Sequence, residues 1–350
     1  MIYKRVFSAV MCLCAALSLC SCMQRVQYME ESFFSMDTFL YMKAEGAKSA
    51  LMRDVKARIY EIERAFSRTS SESTVSKINA LSEGGTVTLG EDASALLEKS
   101  LEVSEATDFA FNPCLGRVKD IWEECKLSQK VPSRDEIESA LEHSSPLGLS
   151  FDAPYLTKLD GEVSLDLGAV AKGYAAEEAV KIFMNGGVKN AMLNLGGNIA
   201  VIGESAQNTG KGYWTVGIKN PFDTGDIIGA LDVTDCFISV SGGYERYFEV
   251  DGEIIHHIIN PKTGFPADNG VVSVAVISND GALADALSTA LFVMGKEKAL
   301  EFYECGTYRF EAIIVTQDGE VTATRGLSQS FLPNQNAKCG DGTPLRFAEE

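Results

Sequence analysis

Histidine is scarce in this chain: only His143, His256 and His257 occur in 350 residues. That argues against a multi-histidine metal centre. Cationic side chains are short too, with 31 Lys and Arg against 49 Asp and Glu and a formal charge of −18. Such a negative excess argues against broad nucleic-acid binding, because a phosphate backbone is gripped mainly by cations. An anionic ligand would need a local cation or backbone amides aimed at it. Paired cysteines are also missing. Four of the nine fall within the first 22 residues, and Cys114, Cys125, Cys236, Cys305 and Cys339 form no C-x-x-C pair. A structural zinc site or disulfide scaffold is therefore not expected, although one incidental disulfide stays open in an exported protein. No internal repeat or low-complexity tract is present. With 45% apolar and 23% charged residues, the chain is neither disordered nor fibrous, and its length allows one large domain or two lobes.

The N-terminus has the layout of an export signal. Lys4 and Arg5 precede an apolar run from Val6 to Leu19, the length of a signal-peptide core and shorter than a bilayer span. The run ends in Leu19-Cys20-Ser21-Cys22, which resembles a bacterial lipobox with a small residue before the acylated cysteine. Cys22 is the expected lipidation site, since at Cys20 the preceding residue would be Leu19. Removing residues 1–21 takes away Lys4 and Arg5 and no acid, leaving a mature charge of −20. This reading makes 1–21 a lipoprotein signal, 22–31 a tether, 32–331 the folded unit and 332–350 an irregular tail. The expectation is an exported protein held to the membrane by its lipid, with an ordinary secretory signal or an uncleaved anchor as the alternatives.

Hydrophobic spacing predicts an α+β fold with mixed or antiparallel sheets packed against helices. Phe33–Met42 alternates like a strand. Lys48–Phe66 carries Leu51, Val55, Ile59, Ile62 and Phe66 at helical spacing, and Ala93–Thr107 reads as a second helix. Ser133 with Glu136 forms a capping-box signature for a helix ending near His143. Val163–Leu167 reads as a strand, followed by a helix Ala169–Asn185 closed by Gly186-Gly187. The second half is richer in strands: Ala191–Leu195, Trp214–Lys219, Phe237–Val240, Tyr244–Val250, Glu253–Ile259, Val271–Ile277 and Arg309–Thr316. Asp251-Gly252 and Asp318-Gly319 mark two-residue hairpin turns.

Several familiar motifs fail. Gly168 and Gly173 have the outer spacing of a phosphate-binding loop, but Tyr174 stands where lysine is required. Leu195-Gly196-Gly197-Asn198 lacks the dinucleotide-binding glycine spacing, and Ser239–Gly243 is not a nucleophile elbow.

Three polar constellations remain. Asp285 and Thr289 interrupt the otherwise apolar Gly281–Gly295 and, at i and i+4, share one helix face. Two hard oxygens there suit Mg²⁺, while a salt bridge from Asp285 to lysine with Thr289 bonded back to its own helix accounts for the same spacing. Asp166–Gly173 places small residues, free helix amides and Lys172 at a strand-to-helix turn, either a phosphate cradle or an ordinary tight turn. Consecutive His256 and His257 must face opposite sides of a strand. A two-residue turn at Asp251-Gly252 pairs Tyr247 with His256 and Arg246 with His257. Either histidine could equally be structural.

Taken together these stretches resemble the ApbE family of FAD:protein FMN transferases from about Ser32 to Arg325. The similar motifs are SMDTF at Ser35–Phe39, DLGAVAKGYAAE at Asp166–Glu177, NLGGNI at Asn194–Ile199, SGGYERYFEVDG at Ser241–Gly252, HHIINPKTGFPA at His256–Ala267 and LADALSTALFVMG at Leu283–Gly295. The resemblance implies Mg²⁺-dependent transfer of FMN from FAD to a Thr or Ser hydroxyl of an acceptor flavoprotein, with release of AMP. It also implies side-chain metal ligands at Asp285 and Thr289, a third through the Ala169 carbonyl, and His257 as general base. Met36, Thr69, Ala110, Phe111, Asn112, Asp166, Lys172 and Ile259 align with FAD-contacting positions. The chain departs from the family at Thr69, where many members carry a tyrosine, at Asn112 for an aspartate and at Gly243 for the usual SGDYER aspartate. Loss of the aromatic at Thr69 favours water over a protein hydroxyl at the same site, giving FAD hydrolysis as the alternative activity. A lipid-anchored FAD-binding protein without turnover is the third reading.

Overall fold

The computed structural model describes residues 27–349 apart from 209 and 251. The signal segment and Cys22 therefore lie outside the described residues. A nine-stranded sheet spans the molecule in the order Tyr28–Ser35, Thr38–Glu45, Ala191–Leu195, Asn198–Ile202, Cys236–Gly242, Val271–Ser278, Glu311–Thr316, Glu320–Ala323 and Arg346–Glu349. Every pairing is antiparallel except the last. Eight α-helices occur among the described residues: α1 Ser49–Phe66, α2 Thr74–Asn79, α3 Glu91–Ala106, α4 Gly116–Ser128, α5 Arg134–Glu142, α6 Ala171–Asn185, α7 Gly281–Met294 and α8 Lys296–Glu304. The fold is α+β, as the spacing predicts.

Central strands are apolar along most of their length because both faces of the sheet are covered. Along Val271–Ser278 and Glu311–Thr316, Val274, Val276, Ala312 and Ile314 enter the helical core with α1, α6 and α7. Their neighbours Ala275, Ile277, Ile313 and Val315 enter a second core. That core is closed by Trp214, Ile228 and Phe331 from the small sheet Phe331–Pro333, Ile227–Val233, Trp214–Lys219. A third cluster joins α4 and α5 to the Tyr247–Val250/Glu253–His256 hairpin through Trp122, Ile137, Val250 and Ile255. The capping box at Ser133 and Glu136 is formed.

Several local expectations give way to tertiary context. Phe33–Met42 is not one strand but the middle of a hairpin that begins at Tyr28, inside the expected tether, and turns at Met36-Asp37. Both turn residues are left-handed, at φ 53° and 58°, without the Asn-Gly or Asp-Gly pair that announces such a turn. Val163–Leu167 forms no strand; one isolated bridge joins Ser164 to Leu115 at the head of α4, and Leu165 is tied on both its backbone groups to the side chain of Asn79. Asp318-Gly319 is not a two-residue turn. Val315 faces Val321, so the loop holds Gln317, Asp318 and Gly319, and the left-handed residue is Gly319 at φ 80°. Nor are residues 332–350 an irregular tail: Arg346–Glu349 pairs parallel with Glu320–Ala323 and closes the sheet edge. A parallel partner distant in sequence leaves no local signature. No disulfide joins Cys114, Cys125, Cys236, Cys305 or Cys339.

Candidate active site

The site is built where the N-termini of α6 and α7 meet beside the strand Cys236–Gly242. Asp285, 4% exposed in α7, accepts hydrogen bonds through Oδ2 from the Gly173 amide at 2.9 Å and through Oδ1 from Asn198 Nδ2 and Ser239 Oγ, both at 3.2 Å. Lys172 Nζ stands 3.9 Å from the same Oδ1, a loose ion pair. Ser288 links Ser239 and Ser241 at 3.2 and 2.8 Å, and Ser241 Oγ lies 3.4 Å from the hydroxyl of half-buried Thr289. Thr289 turns its hydroxyl to Ser241 rather than to its own helix, and the cation paired with Asp285 among the described residues is Lys172, at the outer limit of an ion pair. Buried charge of this kind calls for a counter-ion.

Oxygen donors of this kind could hold a divalent cation. A carboxylate, a hydroxyl and the Ala169 carbonyl at the head of α6 are hard oxygens, and the slack between Asp285 and Lys172 leaves negative charge to be offset. The set holds one carboxylate, and no cluster of three or more His, Cys, Asp or Glu suited to a metal occurs among the described residues.

Asp166 anchors the other wall. Its carboxylate meets Lys119 at 3.1 Å and Arg68 at 3.2 Å and accepts the Gly168 amide at 2.7 Å. Burial by itself would raise this carboxyl, but Lys119, Arg68 and the amide outweigh it and bring it down to about 2. Arg68 also grips the Gly116 carbonyl at 3.0 Å and Asp120, so the strandless crossing segment is pinned by charge.

The two histidines are told apart by their hydrogen bonds. Tyr247 pairs with His256 as the hairpin arithmetic predicts. The His256 ring donates from Nε2 to the Ala267 carbonyl at 3.1 Å, accepts the Ile258 amide on Nδ1 at 3.3 Å and packs edge-on against Phe292. Both of its nitrogens are spent on structure. His257 continues the pairing, its amide donating to the Arg246 carbonyl at 3.2 Å. Its Nδ1 lies 3.0 Å from that same carbonyl oxygen, which can only accept, so Nδ1 carries the proton and Nε2 keeps a free lone pair. The residue is exposed, yet desolvation of its ring by the protein side, reinforced by Lys119, Lys172 and Arg246, pushes its pKa down to about 3. A neutral base ringed by three cations is suited to a proton leaving a nucleophile beside an anion.

Arg246 ties the hairpin to Met36. Its Nη2 donates to the carbonyls of Met36 and Asp37 at 3.3 and 3.4 Å. From the other side Glu63 of α1 accepts the Met36 amide at 2.7 Å and the hydroxyl of buried Ser35 at 2.6 Å. The left-handed turn is thus held by two side chains, which explains how it forms without glycine.

The remaining FAD-contact candidates have other settings. The Phe111 ring is buried in the helical core, so only its backbone could face a ligand. Asn112 spends its amide on the Ser144 carbonyl and the Cys114 amide, at 2.9 and 2.8 Å, holding the loop that also carries half-buried Ala110. Thr69 is exposed in a turn organised by Ser67 Oγ. Ile259 is buried in the third cluster.

Arg68, Lys119, Glu63 and Ser239 lie outside the family motifs, and Asn198, Ser241 and Glu245 lie inside them with no role assigned from sequence. Ser239 and Ser241 carried a signal in their spacing of two on one strand face. Burial holds the Glu245 carboxyl above its usual range, opposed by Lys219, Lys172 and Arg246.

Comparison with known proteins bears on the family and the fold. The model of the ApbE family matches residues 36–314. An FAD:protein FMN transferase of Treponema pallidum is 33% identical over 306 residues, covering 82% of this chain and 83% of that one. One from Klebsiella pneumoniae is 32% identical over 301 residues, covering 84% and 91%. The crystal structure of the ApbE protein of Thermotoga maritima superposes with a TM-score of 0.78 at 34% identity, over 86% of this chain and 98% of that one. The flavin transferase ApbE of Vibrio cholerae, 22% identical, shares the fold with a TM-score of 0.75 over 88% and 97%. With motifs, fold and sequence in accord along most of its length, the chain belongs to the ApbE family.

Proposed function

We propose that this protein transfers the FMN half of FAD to a Thr or Ser hydroxyl of an acceptor flavoprotein and releases AMP. The observation that carries the chemistry is His257, whose Nδ1 is committed to the Arg246 carbonyl so that Nε2 is free, with Lys119, Lys172 and Arg246 disfavouring the imidazolium. In the transfer, the acceptor hydroxyl oxygen bonds to the phosphorus of the FMN half. The bond from that phosphorus to the bridging oxygen breaks, and the bridging oxygen leaves on AMP. The hydroxyl proton passes to Nε2 of His257. Lys172, and Lys119 beyond Asp166, supply local positive charge that a chain of net charge −18 otherwise lacks. Met36, fixed by Glu63 and Arg246, offers its thioether to the flavin rings. Mg²⁺ held by Asp285, Thr289 and the Ala169 carbonyl would neutralise pyrophosphate oxygens as the phosphoryl group moves.

One observation favours a second activity from the same site. Thr69 is small and exposed, so no aromatic shields the flavin there and water can replace the protein hydroxyl, giving FMN and AMP. Incubating purified protein with FAD, Mg²⁺ and a candidate acceptor separates the readings. AMP with a heavier acceptor means transfer, AMP alone means hydrolysis, and neither means a binding protein.

The N-terminal sequence supports export and anchoring through lipid on Cys22. No helix among the described residues is long and apolar enough to cross a membrane. Cys22→Ser should leave the protein unprocessed or release it from the detergent phase. A native N-terminus that begins elsewhere and bears no acyl group refutes the anchor.

A further inference from the structure

Where α6 and α7 cross, two hydrogen-bonded carboxylates hook each helix to the other one turn apart. Asp285 of α7 accepts the Gly173 amide of α6 at 2.9 Å. One turn further along α6, Glu177 Oε1 accepts the amides of Gly281 and Ala282, at 2.6 and 3.0 Å, one turn before Asp285. Residues 173, 177, 281 and 285 thus form a closed frame in which each helix supplies one carboxylate and one set of N-terminal amides. The frame is tight. A Cβ on Gly281 would come within 2.7 Å of the Gly173 carbonyl oxygen, and one on Gly173 would collide with the Gly281 carbonyl and approach Asp285 Cβ to 2.8 Å. Asp280 accepts the Leu283 amide on its own side chain at 2.7 Å, and the Gly281 and Ala282 amides go to Glu177.

We infer that Glu177, which the transfer chemistry does not use, is a positioning residue for the divalent cation. By holding the first turn of α7 at a set height on α6, it fixes Asp285 Oδ1 beside Lys172 near the N-terminus of α6. The inference rests on the assignment of Asp285 as a metal ligand. Without Glu177, the Gly173–Asp285 bond becomes a pivot, the first turn of α7 is free to slide, and the carboxylate loses its fixed aim while the cation donors themselves remain.

The test is a Mn²⁺ titration of the purified protein followed by electron paramagnetic resonance, with FAD affinity measured separately in chelator. Glu177→Ala should weaken Mn²⁺ binding about 10- to 100-fold, the range for removing a group that orients a ligand. FAD affinity without metal should hold, and the turnover deficit should appear as a raised Mg²⁺ requirement that saturating Mg²⁺ recovers. Glu177→Gln, which keeps an acceptor oxygen for the two amides, should restore most of the Mn²⁺ affinity. Unchanged Mn²⁺ affinity in folded Glu177→Ala overturns the inference, as does a Glu177→Gln variant as weak as Glu177→Ala. Asp285→Asn is the control: if it too leaves Mn²⁺ binding intact, the ligand assignment fails, whereas a defect in Asp285→Asn alone sinks only the role of Glu177. If Glu177→Ala does not fold, Glu177→Gln and Glu177→Ser carry the same comparison, and equal Mn²⁺ affinity in both overturns it.

Discussion

Two adjacent histidines differ by which nitrogen is free, and that difference decides what each substitution does. His257→Ala removes the only base with an open Nε2 here, so acceptor modification should fall about 10²- to 10⁴-fold, the range for general-base catalysis. FAD binding, measured by flavin fluorescence, should persist. His256→Ala instead strands the Ala267 carbonyl and the Phe292 edge, costing about 1–3 kcal/mol of stability with transfer by the folded fraction retained. The pH profile reads the same distinction. Because desolvation and three cations hold His257 near 3 rather than 6.5, kcat/KM should show no acid limb at pH 6–7 from this group. A limb there means that the imidazole titrates normally.

Asp166 is the counterpart on the acid side. Its carboxyl sits near 2 in the folded protein against an ordinary 3.8, so its contribution is complete above 3.8 and is lost as pH falls through about 2. The sign follows from the unfolded chain taking up the proton first. Denaturant unfolding from pH 5 to 2.5 should lose on the order of 2 kcal/mol from this residue. Asp166→Asn should flatten that part of the curve while lowering stability at pH 5; an unchanged slope would remove Asp166 as its source.

At the scale of elements, the α6–α7 crossing is the strictest constraint near the site. Gly173→Ala places a methyl against the Gly281 carbonyl and Asp285, backbone and core that cannot step aside, so the helices must separate. Overpacking of this kind costs about 1–3 kcal/mol, and the shift carries Asp285 away from Lys172. The unfolding midpoint and the Mg²⁺ requirement should change together. The Met36-Asp37 turn is constrained differently, by Glu63 of α1 and by Arg246 just ahead of the Tyr247–His256 hairpin. Glu63→Ala should relax it and weaken FAD binding while leaving Mn²⁺ affinity alone, since Glu63 touches Ser35 and Met36. Equal FAD affinity in that variant would show that the turn holds itself.

For the whole molecule, the last strand is the decisive surprise. Deleting residues 345–350 removes buried Leu345 and bares Glu320–Ala323 as a new edge. The loss should be about 1.5–3 kcal/mol from the leucine alone, with a rise in self-association measured by light scattering. A truncated protein equally stable and monomeric would mean that the segment is dispensable.

What the sequence determined by itself is what neighbours along the chain can express. The spacing of Val55, Ile59 and Ile62 makes α1, Ser133 and Glu136 make a capping box, and the pairing of Val250 with Glu253 carries Arg246 and His257 into register. The order of motifs likewise placed the chain in its family. Tertiary structure decided the rest. Glycine-free Met36-Asp37 turns because Glu63 and Arg246 hold it, and Val163–Leu167 stays off the sheet because its ties run to α4 and Asn79. Arg346–Glu349 becomes a strand only when a distant edge receives it. Asp285 and Thr289 were legible as a pair, but not Lys119 and Arg68 on Asp166 or Glu177 on the head of α7. Those contacts join residues tens to more than a hundred positions apart. Their energy depends on distances of a few ångströms that no local spacing encodes.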